Sequence, residues 1–154
     1  MSYFLGIDAG GSNCRARLID SEGNVIGTGQ GGTANARIGL EALYTTLCAV
    51  SNQAIAEAGL SSMQVETIRA GMGIAGISRP GVRDALERFA FPFASVNYGT
   101  DAFIANLGAH GGADGAILIL GTGSIAQVRA GGRDFTIGGY GFPISDEGSG
   151  AALG

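Results

Sequence analysis

The feature that most constrains this chain is a pattern that occurs twice: strand, glycine-rich turn, strand, glycine turn, strand. The first copy begins with the predicted buried strand Tyr3–Asp8 and turns at Gly10–Asn13. The second begins with the continuous apolar run Gly115–Leu120, also predicted to be buried, and turns at Gly121–Ser124. Glycine supplies 29 of the 154 residues, against a usual share of about 7%. The excess lies at the ends of apolar runs, where a tight turn or a close ligand needs a residue without a Cβ.

The repetition predicts a structural duplication, with Ser12 and Ser124 in equivalent places. Between the copies, apolar residues on one stripe predict a long helix from about Ile38 to Ala58, ended by Gly59. Four further elements are predicted after this helix, in the order strand, helix, strand, helix: Thr67–Gly73, Gly81–Phe89, Ala94–Tyr98 and 102–110. The order predicts an α/β fold with a complete first lobe and the opening of a second. A meander with one helix stub at Ser145–Gly154 cannot cover both faces of a sheet.

Composition excludes several classes of function. Hydrophobic residues make up 45% of the chain and charged residues 14%, so the chain fills a core and is not disordered. The net charge is -4 and all nine basic residues are arginine, which argues against nucleic-acid binding. Without a basic run, the chain also has no sign of binding a membrane surface.

No apolar stretch has the length of a membrane span, and residues 1–5 do not resemble a signal peptide. Cys14 and Cys48 fit neither a metal site nor a disulfide framework, so we expect buried thiols in a cytoplasmic protein.

The two glycine turns that follow predicted strands are candidate phosphate sites. Backbone N–H groups in such a turn make a concave anion site, and glycine lets phosphate oxygens approach the main chain. One turn alone is better explained as a plain hairpin, whereas two matched turns that both carry hydroxyl groups favour phosphate binding. The chain has no lysine, which excludes the lysine-dependent P-loop. Backbone dipoles, arginine and Mg²⁺ must then balance the phosphate charge.

Two aspartates at predicted strand ends are candidates for chemistry. Asp8 either caps its strand or holds Mg²⁺ through water, since this metal usually keeps several waters. Asp101 precedes a predicted helix, and its position favours equally an N-cap and a base that accepts a hydroxyl proton in phosphoryl transfer. The lone histidine, His110, ends a helix beside Gly111, where a cap or surface role is favoured over a catalytic one.

Taken in order, the motifs of this chain resemble those of a known family. They are Leu5–Ser12 (LGIDAGGS), Thr100–Ala102 (TDA), Leu120–Ser124 (LGTGS), Gly138–Gly141 (GGYG) and Ser145–Gly150 (SDEGSG). The set is similar to the glucosamine and N-acetylglucosamine kinase branch of the BadF/BadG/BcrA/BcrD ATPase family, within the actin, sugar-kinase and chaperone-ATPase superfamily. Residues 12–17, 33–35 and 142–146 carry the narrower likeness to glucosamine kinases.

The resemblance implies a ribonuclease H-like, actin/hexokinase-type ATPase lobe of order βββαβα, with the first lobe at residues 1–112 and the start of the second at 113–154. It implies ATP-dependent phosphorylation of an amino sugar at the 6-hydroxyl, with ATP and Mg²⁺, and leaves a homodimer open. Glucosamine is the favoured sugar and N-acetylglucosamine the alternative. Family members run to about twice this length, and their adenosine-binding segment falls beyond Gly154. We therefore expect the chain alone to bind nucleotide poorly and to be inactive.

The resemblance also implies roles for individual residues. Asp8 supports Mg²⁺ through water, and Asp101 is the catalytic base. The ATP phosphates are gripped from opposite lobes by the two turns: Gly10, Gly11, Ser12, Asn13, Gly121, Thr122, Gly123 and Ser124. The sugar is contacted by Asp101, Asn35, Gly139, Tyr140, Gly141 and Asp146, and Thr122 touches either ligand. Many relatives carry a basic residue where this chain has Asn13, so the γ-phosphate is expected to rely on Arg15 or on Mg²⁺ alone.

Simpler interpretations of the predicted sugar-binding residues stay open. Asn35 is typical of a turn and Tyr140 of a core aromatic. Asp146 and Glu147 are also suited to capping a helix. Without the resemblance, the simpler interpretation is preferred for Asn35 and Tyr140.

Two other functional classes use the same scaffold. An electron-activating ATPase bridges two subunits with an iron–sulfur cluster held by cysteines. Cys14 and Cys48 both precede the second copy of the pattern, and no cysteine lies near Gly121–Gly154, which argues against this class. A non-catalytic sugar sensor would keep the pocket without turnover. The presence of Asp8 and Asp101 speaks against that loss of function without excluding it.

Overall fold

The structure, a computed structural model, describes residues 2–121, 123–140, 144 and 146–154. Contacts divide the chain into two compact units, Met1–Asp101 and Ala102–Gly154, and each is described by itself. The lobe boundary expected between residues 112 and 113 stays a prediction. Among the described residues, no helix is both long enough and apolar enough to cross a membrane.

The first unit is a five-stranded sheet packed against helices. Its elements are, in chain order, β1 (Tyr3–Ala9), β2 (Cys14–Ile19), β3 (Val25–Gly31), α1 (Leu40–Ala58), α2 (Ser62–Val65), β4 (Ile68–Ile74), α3 (Val82–Leu86) and β5 (Ser95–Gly99). The strand order is β3-β2-β1-β4-β5, antiparallel within the β1-β2-β3 meander and parallel from β1 through β4 to β5. This arrangement confirms the expected βββαβα lobe, to which the structure adds the short helix α2.

Strand β1 buries only one of its faces. Tyr3, Leu5, Ile7 and Ala9 are buried, while the alternate residues, including Asp8, lie on the exposed face. The prediction of a buried strand is therefore wrong for half of its side chains. The physical reason is that α1 packs on the first meander from one side, so the two-residue alternation of a strand separates the core from the surface. The Asp8 carboxylate is consequently left accessible.

Helix α1 approaches β3 closely because two strand residues have no side chain. A Cβ added at Gly27 would overlap the carbonyl oxygen of Ala54, and one added at Gly29 would overlap that of Val50. Glycine costs a strand some conformational entropy, and here that cost is offset by direct contact between the strand and the helix backbone.

The same helix covers the open edge of the sheet with two polar side chains. The carboxylate of Glu57 accepts hydrogen bonds from the N–H of Thr28 at 2.7 Å and from its hydroxyl at 2.8 Å. The side-chain oxygen of Gln53 accepts one from the N–H of Gln30 at 3.0 Å. Because β3 is an edge strand, these contacts use N–H groups that another strand would otherwise bind.

The ends of α1 follow from backbone conformation. The helix ends where predicted, at Gly59, whose φ of 64° is left-handed. It begins at Leu40 rather than near Ile38, because Gly39 has a φ of 97° and the chain before it turns at Asn35. The predicted helix Gly81–Phe89 shortens to α3.

The second unit contains a smaller meander. Its elements are α4 (Asp101–His110), whose first residue belongs to the first unit, β6 (Gly115–Leu120), β7 (Ser124–Ala130), β8 (Arg133–Gly138) and α5 (Gly150–Leu153). The strands pair antiparallel in the order β6-β7-β8, so the repeated meander is confirmed. Buried Asn106 attaches α4 to this sheet, because its amide nitrogen donates to the carbonyl oxygens of Gly115 at 3.1 Å and Gln127 at 2.7 Å.

Strand β6 is not buried as its apolar sequence predicts. A second lobe that is only begun was, however, also expected to expose apolar residues such as Ile117, Ile119 and Phe142, of which Phe142 lies outside the described residues. Leu118, Ile119 and Leu120 are exposed, and Ile117 is half-buried. A three-stranded sheet accompanied by α4 and the four-residue α5 has too little helical surface to cover both faces. The apolar sequence of β6 identified the strand but not its surroundings.

Candidate active site

The first glycine turn is a four-residue hairpin between β1 and β2, closed by the pair Ala9 and Cys14. The N–H of Gly10 donates across it to the carbonyl oxygen of Asn13 at 2.9 Å. A Cβ added at Gly10 would lie 3.3 Å from that same oxygen, whereas one added at Gly11 would meet nothing within 4 Å. Gly11, Ser12 and Asn13 are exposed. The hairpin thus has a tight base and an open tip that a ligand can approach.

The segment that carries Asn35 lies against the base of this hairpin. The N–H of Ala34 donates to the carbonyl oxygen of Gly10 at 3.0 Å. Asn35 forms an isolated parallel bridge with Ala75, directly after β4. The Asn35 side-chain oxygen accepts the N–H of Arg37 at 2.8 Å, which confirms its role in a turn. The structure therefore brings one predicted sugar-binding residue beside the first predicted phosphate loop.

Asp8 and Asp101 are both placed at the carboxyl edge of the parallel strands. Asp8 precedes the last residue of β1, and Asp101 begins α4 two residues after β5 ends. The paired row that contains Asp8 continues through Gly73 and Gly99, which have no side chains to fill the space between β1 and β5. The strand order separates β1 from β5 by two intervals of about 4.8 Å each. A single small ligand can therefore reach both carboxylates.

The two carboxylates also interact electrostatically. Partial burial raises the pKa of Asp8 above its ordinary value although the residue lies on the accessible face of β1. The negative charge of Asp101 raises this pKa further, and the positive charge of Arg15, its partner across the strands, lowers it. A divalent cation would relieve this repulsion, and Mg²⁺ is commonly held by one or two carboxylates together with substrate phosphates. Among the described residues, no group of three or more His, Cys, Asp or Glu side chains could hold a metal. The residues present fit a metal that keeps several waters.

The second glycine turn is shorter by one residue, because Leu120 and Ser124 close it. The N–H of Gly121 donates to the carbonyl oxygen of Gly123 at 2.9 Å, and the carbonyl oxygen of Gly121 accepts the N–H of Gly150 at 2.7 Å. Thr122 lies outside the described residues.

The expected equivalence of Ser12 and Ser124 is wrong. Ser124 is the first residue of β7 and matches Cys14, the first residue of β2, whereas Ser12 lies in the exposed tip of its turn. The reason is where each hairpin closes: Ser12 lies two residues before the closing residue Cys14, whereas Ser124 is itself the closing residue. The two hydroxyl groups therefore occupy different positions on their hairpins.

Asp146 lies against the second turn. Its side chain is 8% exposed, and Oδ1 accepts the N–H of Ser124 at 3.1 Å. A Cβ added at Gly123 would lie 3.1 Å from Oδ1 and 3.2 Å from Oδ2. Asp146 is not the cap of α5, because Ser149 is the N-cap and its hydroxyl oxygen accepts the N–H of Ala152 at 3.3 Å. The alternative of a capping role for Asp146 is therefore wrong.

The neighbouring predicted sugar-binding residues follow β8. Gly139 has a φ of 76°, and its N–H donates to the carbonyl oxygen of Ser124 at 2.9 Å. Tyr140 is 75% exposed, so the alternative that it is a core aromatic is wrong. Gly141 lies outside the described residues. Gly139 and Asp146 are thus both hydrogen-bonded to the backbone of Ser124.

Cys14, Cys48 and His110 have the remaining reactive side chains. Burial, and to a smaller extent the charge of Asp8, raise the pKa of the Cys14 thiol to about 11, and the side chain is fully buried. Cys48 is half-buried rather than buried as expected. The ring of His110 packs over Gly115 and one ring nitrogen lies 3.1 Å from the carbonyl oxygen of Ala116.

The sequence did not reveal the backbone groups that hold the two turns. Ala34 and Gly150 donate N–H groups to the first glycine of each hairpin, and Ala75 donates to the carbonyl oxygen of Ala9 at 2.9 Å. Main-chain donors leave no signal in residue type, so only the position of the segments in space could identify them.

Comparison with known proteins assigns the chain to a family. Residues 5–154 match the BadF/BadG/BcrA/BcrD ATPase family. The chain is 41% identical over its full length to a curated relative, glucosamine kinase GspK of Vibrio cholerae, and covers 52% of it. The chain therefore spans about half the length of this relative.

Solved structures agree with this assignment. A provisionally named N-acetylglucosamine kinase from Chromobacterium violaceum superposes with a TM-score of 0.89 at 33% identity, over 99% of this chain and 54% of that one. A second provisionally named N-acetylglucosamine kinase, from Porphyromonas gingivalis, has a TM-score of 0.70 at 23% identity, over 100% of this chain and 53% of that one, and shows the shared fold. Because the family match extends over nearly every residue and includes both glycine turns, the chain belongs to the BadF/BadG/BcrA/BcrD ATPase family.

Proposed function

We propose that this chain supplies part of the active site of an ATP-dependent sugar kinase, which phosphorylates the 6-hydroxyl of glucosamine. The observation that carries the proposal is the placement of Asp8 and Asp101 at one sheet edge, where the negative charge of Asp101 contributes to the raised pKa of Asp8. The exposed hairpin tip Gly11–Asn13 begins two residues after β1 reaches that edge. Two carboxylates beside an anion-binding turn suit phosphoryl transfer, in which positioning and charge stabilisation do most of the work.

Asp101 is the proposed general base. At the start of α4 its carboxylate would accept the proton of the sugar hydroxyl as that oxygen forms a bond to the γ-phosphorus of ATP. The bond from that phosphorus to the β,γ-bridging oxygen would break at the same time, and ADP would leave. Asp8 would hold Mg²⁺ through water, and the metal would neutralise charge on the phosphates. Arg15, paired with Asp8 across the strands, would orient that carboxylate. Its positive charge would also replace the basic residue that many relatives carry at the position of Asn13.

Each glycine turn is proposed to contact phosphate through its backbone. In the first turn the N–H of Gly10 is used within the hairpin, which leaves the contact to the exposed residues Gly11, Ser12 and Asn13. In the second turn the N–H groups of Gly121 and Ser124 are donated inside the protein. The hydroxyl of Ser124 is therefore the group proposed to reach phosphate from that residue.

The proposed sugar contacts are Asn35, Asp101, Gly139, Tyr140 and Asp146, together with Gly141. Glucosamine carries a 2-ammonium group, which an acidic neighbour favours, whereas an acetamide requires an apolar slot and an amide partner. The curated relative with 41% identity is a glucosamine kinase, which supports the same choice. N-acetylglucosamine is the alternative, and a higher kcat/KM for it than for glucosamine would reverse the assignment.

The substitution Asp101→Asn in the full-length protein tests the proposed base. We expect kcat to fall roughly 10²–10⁴-fold, the usual contribution of general base catalysis, while the affinity for an ATP analogue changes little. Asp134→Asn, an exposed aspartate of β8, serves as the matched control and should retain wild-type turnover. Wild-type turnover of Asp101→Asn with glucosamine would exclude Asp101 as the base.

Compartment and assembly form a separate part of the proposal. Cys14 and Cys48 are free thiols, which supports a reducing compartment such as the cytoplasm. The exposed apolar residues Leu118, Leu120 and Ile137 favour association of this chain, and a homodimer is the assembly proposed for the full-length protein. The molar mass of the full-length protein in solution tests this, and a monomer at all concentrations would overturn it.

A further inference from the structure

The second glycine turn is held at both ends by a single later segment. This brace, residues 146–150, begins with Asp146, whose carboxylate accepts the N–H of Ser124 at 3.1 Å. It ends with Gly150, whose N–H donates to the carbonyl oxygen of Gly121 at 2.7 Å. Within the brace, the N–H of Ser149 donates to the carbonyl oxygen of Asp146 at 3.0 Å. The aspartate is therefore anchored at its own backbone while its side chain reaches the turn.

Asp146 differs from the other groups that hold the turn. The contacts from Gly150 and Gly139 are made by backbone N–H groups, which a substitution leaves in place, whereas the contact to Ser124 is made by a side chain. The carboxylate is also close enough to Gly123 that a Cβ there would lie only 3.1 Å from Oδ1. Asp146 thus accepts a hydrogen bond from Ser124 and also limits the space available for a side chain at Gly123.

We infer that Asp146 is a positioning residue that fixes the backbone of Gly123 and Ser124 and thereby determines how tightly the second turn binds phosphate. The ligand, an ATP phosphate, rests on the proposed function; the positioning of the turn does not. A hydrogen bond from an N–H to a carboxylate is stronger than one to a neutral acceptor, and its loss leaves a shielded donor unsatisfied. The turn would then sample conformations in which the Ser124 hydroxyl is no longer held in one place for a phosphate.

This role has a consequence for the two substrates. If Asp146 contacts the sugar as well as the turn, sugar binding and nucleotide binding are linked through one carboxylate. Linkage is reciprocal, so the sugar would raise the affinity for an ATP analogue in the wild type by the same factor as the analogue raises the affinity for the sugar. A residue that contacts only the sugar would leave nucleotide affinity in the absence of sugar unchanged.

The first experiment compares Asp146→Ala with Asp146→Asn in the full-length protein. The affinity for a non-hydrolysable ATP analogue is measured by calorimetry without sugar, and the exchange rate of the Ser124 amide hydrogen by NMR. We expect Asp146→Ala to weaken analogue binding roughly tenfold and to accelerate Ser124 exchange. The amide oxygen of Asp146→Asn can still accept the Ser124 N–H, so this variant should recover most of the affinity. Recovery by asparagine separates positioning from a general loss of folding.

A double-mutant cycle with Gly123→Ala tests the spatial part of the inference. In the wild type the added Cβ meets the carboxylate, whereas in Asp146→Ala that space is open, so we expect Gly123→Ala to cost less affinity in the second background. Gly121→Ala, where a Cβ meets nothing within 4 Å, is the control and should behave alike in both. Purely additive effects of Gly123→Ala and Asp146→Ala would count against the contact.

The outcomes distinguish this inference from the proposed kinase activity. Unchanged analogue affinity and unchanged Ser124 exchange in Asp146→Ala would overturn the positioning role, even if the enzyme phosphorylates glucosamine. Weaker analogue binding in a protein that phosphorylates no sugar would support positioning while the kinase proposal fails. If the protein binds no ATP analogue, the Ser124 exchange rate decides: faster exchange in Asp146→Ala than in Asp146→Asn supports the inference, and equal rates overturn it.

Discussion

The two antiparallel meanders start alike and are held in different ways. In each, the first glycine of the turn uses both of its backbone groups: Gly10 and Gly121 donate across the hairpin and accept from a later segment. The first turn, however, has four residues and the second three. The turn glycine with least room for a Cβ is the first one, Gly10, in the first turn and the last one, Gly123, in the second turn. The two turns therefore share the same pair of backbone hydrogen bonds at their first glycine, although the side chains around them differ.

The difference in what surrounds each turn is informative. Around the first turn the described contacts from the later segment are made by the backbone of Ala34, whereas around the second a carboxylate, Asp146, takes part. A backbone contact is insensitive to side-chain replacement, while a carboxylate contact changes with residue type. The second turn is therefore the one whose geometry a point substitution can alter from outside the turn.

The sheets that carry the turns differ as well. The first meander lies under α1, which touches β3 so closely that Gly27 and Gly29 have no room for a side chain. The second exposes much of β6, including Leu118 and Leu120. Burial rather than strand pairing thus separates the two meanders, since the strands of both pair antiparallel, with one register shift between Leu18 and Ile19 in the first.

The largest expected effect concerns the covered meander. Gly29→Ala forces a Cβ onto the carbonyl of Val50, so α1 must move away from β3, and we expect a loss of about 3 kcal/mol in the free energy of unfolding, as for severe overpacking. The control is Gly71→Ala in β4, where a Cβ meets nothing within 4 Å. Urea denaturation monitored by circular dichroism measures both. Equal stability of the two variants would show that α1 does not press on β3.

A smaller effect separates the two turns from each other. Gly10→Ala crowds the carbonyl oxygen of Asn13 at 3.3 Å, whereas Gly121→Ala meets nothing within 4 Å. We expect the first to lower the free energy of unfolding by about 1 kcal/mol and the second to leave it within about 0.5 kcal/mol.

The same two variants also report on ligand approach. If phosphate approaches both turns, both substitutions weaken binding of an ATP analogue by the full-length protein, although only Gly10→Ala lowers stability. Unchanged affinity in Gly121→Ala, measured by calorimetry, would remove the second turn from the phosphate site while leaving the first in place.

The smallest expected effect lies at the edge of the first meander. The N–H and hydroxyl of Thr28 lower the pKa of Glu57 below its ordinary value. A lowered carboxyl pKa stabilises the fold above the pKa of the unfolded chain, and that contribution disappears as the pH falls through the folded value. We expect Glu57→Gln to reduce Tm slightly near neutral pH and less in acid. Thermal unfolding of both proteins between about pH 7 and about pH 3 measures the difference; a gap that widens in acid would contradict the assignment.

Much of the fold could be predicted because its signals are local. The end of α1 at Gly59 follows from the residue that best adopts a left-handed conformation, and the burial of Cys14 follows from strand alternation. The mismatch of Ser12 and Ser124 could not be predicted, because it depends on the pairing register that closes each hairpin. The contact between Asp146 and Ser124 joins residues that lie 22 positions apart, beyond the reach of any local pattern.

The sequence by itself determined the order of strands and turns, the position of the glycines and the candidate carboxylates Asp8 and Asp101. Apolar periodicity and backbone permissiveness act over a few residues, so they can be recognised in the sequence alone. Only the tertiary structure decided which faces are buried, that Asp8 senses Asp101, and that Asp146 braces the second glycine turn. Those facts depend on sheet register and packing, which bring distant segments together and are set by the whole fold rather than by neighbouring residues.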